Sequence, residues 1–349
     1  MTTNNKEYTM NKLTKIGVSA LCGSLASVAA NAGTMEVLGG ATATWSSNEG
    51  TETGNPIGMN SALTFKGTGE LDNGTTFTLT VTGADQMAYT SGSIAMVTPS
   101  MGTFKIIQAA GGAGVDRFDD MMPTAWEETN GTSLATGLQT VAGVGTTMNV
   151  EWTLPTIVDG LSAHLAVTPR AGAGLVNDKA ASGDTGTSGG GYDIALSHNA
   201  IVDGLNVFAG RSVIEQDVGT AGAGFSGDRT QYVYGATYAI GSVTLGYQES
   251  RDNLSASKIG ATNSFYSNEA FGISFNVSDN LSLSYGSHKS KNSLNSGASV
   301  ELEAESMQLA YTMGGMSVKV AESSVDNGSY TSGTSKDRDG TTLALTLAF

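Results

Sequence analysis

Five carboxylates lie close together in a stretch of the chain without a regular hydrophobic pattern. The stretch covers residues 108–137, and its acids are Asp116, Asp119, Asp120, Glu127 and Glu128. Carboxylates at this density can filter ions by charge, and their oxygens are also ligands that Ca²⁺ accepts. The spacing of an EF-hand is absent, so Ca²⁺ is a minor expectation and no other cofactor is expected. The acids therefore predict a charged lining.

The residue types that most often carry catalysis are not arranged for it. The three histidines, at positions 164, 198 and 288, fall on separate segments and have no metal-ligand spacing. The sequence contains neither a phosphate-binding P-loop nor an H-E-x-x-H zinc motif. We therefore expect no catalytic residues and no enzymatic activity.

Composition points to a membrane protein built from strands. Charged residues make up 14% of the 349 residues, against about 25% in typical soluble proteins. Hydrophobic residues make up 39%, yet they are scattered, as expected where one face of each strand meets lipid and the other meets water. The formal net charge of −15 excludes the basic footprint that nucleic-acid binding needs.

The first residues have the features of an export signal. A short segment with two lysines precedes an apolar stretch at 16–30, and an Ala-Asn-Ala motif ends at Ala32. We predict cleavage after Ala32, so that 1–32 is a signal peptide and 33–349 is a single domain, which the strand pattern below predicts to be a β-barrel. Cleavage would remove Cys22, the only cysteine, and leave 14 bases and 31 acids.

Alternation of apolar and polar side chains runs through the rest of the chain. Threonines alternate with Phe77, Leu79 and Val81, and the last segment alternates in the same way up to Phe349. A period of two is typical of strands with two different faces. Seven short turns alternate with eight longer polar loops, which together connect sixteen strands. The sequence thus predicts an all-β fold, a transmembrane antiparallel β-barrel of 16 strands.

The short turns and polar loops also predict where each strand starts. The expected first residues are Met35, Ile57, Thr75, Thr90, Thr103, Thr147, Leu161, Tyr192, Leu205, Thr230, Val243, Ser267, Leu281, Leu302, Met316 and Thr341. An even number of strands puts both termini on the side of the short turns, as in bacterial outer-membrane barrels.

Two parts of the sequence resemble the trimeric general porins of Gram-negative bacteria, in particular the alphaproteobacterial type. The ending Thr-Leu-Ala-Leu-Thr-Leu-Ala-Phe349 looks like the C-terminal signature of outer-membrane proteins. The block at 63–77, followed by Met101-Gly-Thr-Phe-Lys105, is similar to the early strands of these porins. The Pro-Glu-Phe-Gly-Gly motif of other subgroups is absent, so constriction residues are not transferred from those subgroups.

The resemblance implies a location, partners and a function. It implies a homotrimer in the bacterial outer membrane, surrounded by lipid, through which small hydrophilic solutes and ions diffuse without an energy source. It also implies that Phe349 is an assembly signal read by the barrel assembly machinery. The segment Asp116-Arg-Phe-Asp-Asp120 lies where such porins carry a third loop that folds into the barrel and narrows it.

Strand parity predicts which basic side chains face the lumen. Lys66, Lys105 and Lys319 are each out of phase with their apolar neighbours, and the same reasoning extends to Arg170. The acidic loop would then face a basic wall. Because acids outnumber bases, we expect a weak preference for cations.

Two alternatives remain at this stage. The barrel could serve as an adhesin or carry an embedded enzyme, or the 47 glycines could belong to a soluble, secreted β protein.

Overall fold

The chain folds into one closed antiparallel β-barrel. The computed structural model describes residues 32–49, 55–131, 134–171, 188–216, 225–255 and 263–349. Within these ranges each strand pairs with its neighbours in sequence, and the first strand pairs with the last. The sixteen strands of this part of the chain are β1 (Ala32–Asn48), β2 (Ile57–Glu70), β3 (Thr76–Ala84), β4 (Ala88–Thr98), β5 (Gly102–Gln108), β6 (Asn149–Thr153), β7 (Leu161–Thr168), β8 (Ser188–His198), β9 (Leu205–Gln216), β10 (Arg229–Ile240), β11 (Val243–Asn253), β12 (Asn263–Ser278), β13 (Leu281–Leu294), β14 (Ser299–Met313), β15 (Met316–Asp326) and β16 (Arg338–Ala348).

The predicted fold class and number of strands are confirmed. The strands begin within about four residues of the expected positions, and the largest differences are at β8 and β12. Both of these strands begin earlier than the alternation of apolar side chains suggests. The predicted signal peptide lies outside the described residues except for Ala32, where β1 begins, so its cleavage site stays a prediction.

The two faces of the wall follow from the alternation. On β16, Leu343 and Leu345 point outwards and are 44% and 42% exposed, whereas Ala344 between them is 1% exposed. Cross-strand partners share a face, so Leu345 is opposite Ala43 of β1, and Thr346 is opposite Thr42. The apolar face therefore lies outside, where it can meet lipid.

The barrel closes where β16 pairs with β1, and Phe349 extends this pairing by one position. Gly39 donates its backbone N–H to the carbonyl oxygen of Phe349 at 3.1 Å, and Phe349 donates to the carbonyl oxygen of Gly39 at 2.9 Å. Closure removes the free edge of the sheet, as a hydrocarbon environment requires. The tight turns between strands use glycine where φ must be positive, for example Gly74 with φ 78°.

The longest connection between strands fills part of the lumen, and the structure describes all of it except residues 132 and 133. Residues 109–148, here called the inner loop, connect β5 to β6 and pack against inward-facing side chains. Val115 and Phe118 of the loop are buried in one cluster with Phe208 and Val233 of the wall. The hydrophobic core therefore lies between the inner loop and the wall, which confirms the predicted long third loop in the lumen.

Helical structure in the described ranges is limited to three short 3-10 turns. They are Gly114–Phe118 in the inner loop, and Gly328–Tyr330 and Thr334–Lys336 in the last loop (residues 327–337, between β15 and β16). None of the helices in this part of the chain has the length and apolar character needed to cross a membrane.

Candidate functional site

Two acidic side chains of the wall hold the start of the inner loop. Glu151 of β6 accepts a hydrogen bond from the N–H of Gly114 at 2.8 Å and also pairs with Arg117 of the loop. Asp193 of β8, which is 0% exposed, accepts from the N–H of Val115 at 3.0 Å. These contacts satisfy buried backbone donors that have no partner within the loop itself.

The return of the loop towards β6 uses the same type of anchor. Asp193 also accepts a hydrogen bond from the N–H of Val144 at 3.1 Å. Gln231 of β10 accepts from the N–H of Ala142 at 3.2 Å and of Gly143 at 2.6 Å. One carboxylate therefore links the outgoing limb of the inner loop (residues 109–131) to its return limb (residues 134–148).

The middle of the outgoing limb crosses the lumen to the opposite wall. Ser284 of β13 accepts a hydrogen bond from the N–H of Ala125 at 2.8 Å. Gln308 of β14 accepts from the N–H of Trp126 at 3.0 Å and of Glu127 at 3.1 Å, and donates to the carbonyl oxygen of Glu127 at 2.8 Å. The limb is therefore fixed at both ends of its crossing.

A row of glycines in the wall makes room for this crossing. Gly246, Gly272 and Gly286 are register partners on β11, β12 and β13. A Cβ atom at Gly272 would lie 2.8 Å from the carbonyl oxygen of Pro123, and one at Gly246 would overlap the Pro123 ring. The absence of side chains here allows the loop backbone to approach the wall closely.

Sequence reasoning missed all five wall anchors, which are Glu151, Asp193, Gln231, Ser284 and Gln308. Each lies at an inward position of a strand, where a polar side chain is expected in any wet barrel. Glu151 and Gln308 could have been singled out, because their acceptor side chains are longer than those of the inward residues two positions away on the same strand. Ser284 carries no such signal.

Two of the five predicted loop carboxylates are the most open to the lumen. Asp119 and Asp120 follow the 3-10 turn near the start of the outgoing limb, and both are exposed. Asp116 is different, because it is 6% exposed and its carboxylate accepts a hydrogen bond from the N–H of Gly112 at 2.6 Å. The expectation that Asp116 faces the passage is therefore corrected: its carboxylate stabilises the turn.

The environments of Asp119 and Glu128 raise the pKa values of their carboxyl groups. Protein packed on one side of Asp119, and then the charges of Asp116 and Asp120, raise the pKa of Asp119 to about 7. Burial, together with a hydrogen bond to Asp120 and the charges of Asp120 and Glu127, raises the pKa of Glu128 to about 7. Because Asp119 is exposed to lumen water on its open side, its desolvation is partial. Both groups change charge near neutral pH.

Lys319 reaches the acidic loop from the wall. It lies inward on β15, as predicted, with its Nζ 5.8 Å from the centroid of the Trp126 ring. Burial raises the pKa of Glu127, and the positive charge of Lys319 opposes this. Lys319 therefore balances part of the negative charge at the middle of the crossing.

Of the other three predicted wall bases, Lys66 and Lys105 lie on the inner face of the wall and Arg170 does not. Lys66 is inward on β2, and its Nζ lies 3.6 Å from a carboxylate oxygen of Glu36. Lys105 is inward on β5, where its register partner is Glu151. The placement of Arg170 on the wall is wrong, because β7 ends at Thr168 and Arg170 lies exposed beyond the strand. The alternation of apolar and polar side chains continues by chance past the end of β7, and it suggested an inward position for Arg170.

Hydroxyl groups cover the wall that the inner loop leaves open. Thr42 and Thr346 face each other with their hydroxyls 3.0 Å apart, and Thr64 and Thr82 do so at 2.9 Å. The inward residues of β3 at 76, 78, 80 and 82 are all threonine. This part of the wall is therefore lined by neutral hydrogen-bonding groups together with Lys66, whose register partner is Thr80.

The described residues do not assemble a metal centre. Within them, no group of three or more His, Cys, Asp or Glu side chains is arranged to hold a metal ion. His164 lies inward on β7, with its Nδ1 2.9 Å from the hydroxyl of Thr153 and 3.7 Å from the carboxylate of Glu151. That carboxylate is already engaged by the inner loop, which makes this contact part of the anchor.

The architecture matches solved porins although the sequence has diverged. No family model matches the chain. No curated protein matches it in sequence. OmpF of Salmonella typhi superposes with a TM-score of 0.68 at 15% identity, covering 90% of this chain and 97% of that one. The trimer form of the outer membrane protein OmpT of Vibrio cholerae gives 0.65 at 14% identity, covering 90% and 99%. An anion-selective porin from Comamonas acidovorans gives 0.59 at 11% identity, also covering 90% and 99%.

These similarities define the class of fold. A closed 16-stranded barrel with its long third loop inside the lumen is the general-porin fold, and this chain has it. The ion preference does not follow from the fold, since one of the similar structures is described as anion-selective.

Proposed function

We propose that this protein is an outer-membrane porin through which small hydrophilic solutes and ions diffuse passively, with a weak preference for cations. The observation that carries the proposal is the exposed pair Asp119 and Asp120 on a loop that crosses a closed barrel. No step of this function requires a catalytic residue, a cofactor or Ca²⁺.

The charge balance beside the passage supports the cation preference. Lys66 has Glu36 as its neighbour, Arg117 has Glu151, and the positive charge of Lys319 acts on Glu127. Asp119 and Asp120 instead leave their carboxylates exposed. Low-dielectric walls around a narrow passage focus the field of such charges. Cations are therefore favoured over anions of similar size.

The outer surface supports a location in a membrane. Large apolar side chains are exposed around the barrel, for example Leu79, Ile94, Ile194, Leu283 and Leu345. Exposed apolar surface on this scale is unfavourable in water and is expected against lipid. The predicted export signal and the short turns beside both termini are consistent with the outer membrane.

The two flanks of the barrel differ in a way that supports a homotrimer. On β1 to β8 every Asp, Glu, Lys and Arg side chain lies on the inner face, namely at Glu36, Lys66, Glu70, Lys105, Glu151 and Asp193. On β11 to β14 a row of outward register partners is charged, namely Glu249, Glu269, Lys289 and Glu303. The uncharged flank suits contact with other copies, and the charged flank suits contact with lipid head groups.

The proposal is tested with purified protein in planar bilayers. Wild-type protein should give stable channels whose reversal potential under a KCl gradient indicates cation preference. Asp119→Asn combined with Asp120→Asn should shift the reversal potential towards anions. The shift should be larger at 0.1 M than at 1 M salt, because the Debye length falls from about 10 Å to about 3 Å. Asp72→Asn, in an exposed turn, is the matched control and should change little.

The outcomes are distinct. Wild-type protein that folds into a heat-modifiable barrel but never conducts would exclude a porin and favour a plugged barrel with another role. Channels whose ion selectivity is the same in the double variant would mean that these carboxylates do not border the narrow passage.

We propose a role for Phe349 in barrel assembly because of its position directly after the end of β16. It closes the barrel against Gly39, and its side chain is 78% exposed. Deletion of Phe349 should leave export intact but reduce the amount of heat-modifiable barrel in the outer membrane. Normal amounts of barrel after the deletion would exclude this role.

A further inference from the structure

The last loop folds down onto the return limb of the inner loop. Ser329 donates its backbone N–H to the carbonyl oxygen of Thr136 at 2.7 Å. The hydroxyl of Tyr330 accepts a hydrogen bond from the N–H of Gln139 at 2.9 Å and lies 2.7 Å from the hydroxyl of Ser290 on β13. One side chain of the last loop therefore connects the return limb to the barrel wall.

Apolar contacts surround these hydrogen bonds. Leu134 is 2% exposed and packs with Leu302 and Val325 of the wall, with Tyr330 against the same cluster. The rings of Tyr330 and Tyr266 lie with their centroids 5.1 Å apart. The start of the return limb is therefore enclosed between the last loop and strands β12 to β15.

A charged side chain at the end of the last loop adds a further contact. Arg338, the first residue of β16, donates from Nη1 to the carbonyl oxygen of Leu134 at 2.9 Å. The return limb is therefore contacted both by the last loop, through Ser329 and Tyr330, and by the first residue of the strand that follows it.

The backbone of the last loop is shaped for this contact. Asn327, Ser329 and Tyr330 have φ values of 53°, 53° and 54°, in the left-handed region that residues other than glycine seldom occupy. Such conformations persist where surrounding contacts determine them. Asn327 receives such contacts. Its side-chain oxygen accepts a hydrogen bond from the N–H of Gly333, and its side-chain nitrogen donates one to the carbonyl oxygen of Glu301.

We propose that the last loop is a latch that holds the return limb against the wall, with Tyr330 as the positioning residue. This inference rests on the proposed channel function, because its consequence is a steady passage. The outgoing limb is anchored by Glu151, Asp193 and Gln308, whereas residues 134–139 depend on the latch and the adjoining cluster. Release of the latch lets this part of the loop move into the passage and interrupt the current.

The first test removes one oxygen atom. Tyr330→Phe keeps the ring contacts but loses the hydrogen bonds to Gln139 and Ser290. Brief closures in single-channel records should become more frequent by on the order of tenfold, as the loss of two hydrogen bonds would allow. Tyr311→Phe, on the outward face of β14, is the control for the same chemical change and should behave as wild type.

The second test restores the latch covalently. A Cβ atom at Gly137, where φ is 70°, would lie 3.2 Å from the Cβ of Ser329. The separation in disulfides is about 3.5–4.5 Å, so the bond forms with a small shift of the loop backbone. In the Tyr330→Phe background, the pair Gly137→Cys and Ser329→Cys should give quiet channels when oxidised and flickering channels when reduced. Flicker that is the same in both redox states, or a Tyr330→Phe variant as quiet as wild type, would overturn the proposal.

Hydrogen exchange separates the latch from the channel function. The backbone amide of Gln139 should exchange roughly tenfold faster in Tyr330→Phe than in Tyr311→Phe, since its acceptor is gone. If wild-type protein does not conduct but this difference appears, the porin function fails and the docking of the last loop stands. Equal exchange rates in the two variants would exclude the latch whatever the conductance.

Discussion

The inner faces of two arcs of the barrel differ in what they contact. The covered arc, β6 to β15, presents acceptors such as Asp193, Gln231 and Gln308 to the backbone of the inner loop. The bare arc, β1 to β4, presents hydroxyl groups that pair across strands, as Thr64 and Thr82 do. Both arcs have the same alternation of inward and outward residues. The difference shows that an inward polar residue can stabilise the fold or border the passage, depending on what lies over it.

Burial explains why the two arcs should respond differently to substitution. A polar group under the inner loop is withdrawn from water, so removal of its partner leaves a donor or acceptor unsatisfied. A polar group on the bare arc remains next to lumen water, which can replace a lost partner. Substitutions under the inner loop should therefore cost more stability than matched substitutions on the bare arc.

Loss of Asp193 should have the largest effect on stability. Asp193→Ala leaves the N–H groups of Val115 and Val144 without their acceptor, and each buried donor without a partner costs about 1–3 kcal/mol. The free energy of unfolding, measured by urea titration in lipid vesicles, should fall by roughly 2–6 kcal/mol. The matched change on the bare arc, Thr80→Ala, should have a much smaller effect. Equal losses in the two variants would remove the distinction between the arcs.

The outer face of β16, next to the bare arc, should be sensitive to charge. Leu345→Arg places a cation on the lipid-facing side of β16, which costs about 2–4 kcal/mol near the middle of the bilayer. Thr346→Arg, one residue later, points to the lumen beside Thr42 and should be tolerated better. The same unfolding titration measures both. Equal destabilisation would contradict the assignment of the two faces.

Two acids of the inner loop should make ion selectivity depend on pH. The pKa values of Asp119 and Glu128 are both raised to about 7, so these groups are charged above that pH and neutral below it. Cation preference, measured as the reversal potential at low salt, should therefore weaken as the pH falls from about 8 to about 6. A variant with Asp119→Asn and Glu128→Gln should lose most of this dependence. A flat profile in the wild-type protein would show that these two groups titrate elsewhere.

A single hydroxyl of the bare arc should matter least. Thr42→Val removes one side of the pair with Thr346, whose oxygens lie 3.0 Å apart. Lumen water can take the place of the missing hydroxyl, so the free energy of unfolding should change by less than about 1 kcal/mol. A larger loss would mean that water does not reach this part of the wall, and that the bare arc is covered as well.

Much of the barrel could be predicted without coordinates. The alternation that ends at Phe349 placed β16 within three residues, and the short turns gave the number of strands and the position of both termini. Parity placed Lys66, Lys105 and Lys319 on the inner face. Parity failed for Arg170 because alternation marks a strand only as long as the chain stays paired, and β7 has ended two residues earlier.

The roles of individual polar residues were less predictable. Asp116, Asp119 and Asp120 are equivalent in the sequence, yet Asp116 is bonded within the turn while the other two are exposed. The difference depends on how the inner loop packs on the wall, since Val115 and Phe118 on either side of Asp116 are buried. Such packing joins residues that are far apart in the chain.

The sequence by itself determined the period-two pattern, the number of strands and the faces they present, because these are local properties with a fixed repeat. Only the tertiary structure decided which side chains hold the inner loop. Asp193 binds Val115 and Val144, and Tyr330 binds Gln139, across separations from 49 to 191 residues. Nothing in the local sequence records these pairings, because they exist only once the barrel has closed and the loop has folded inside it.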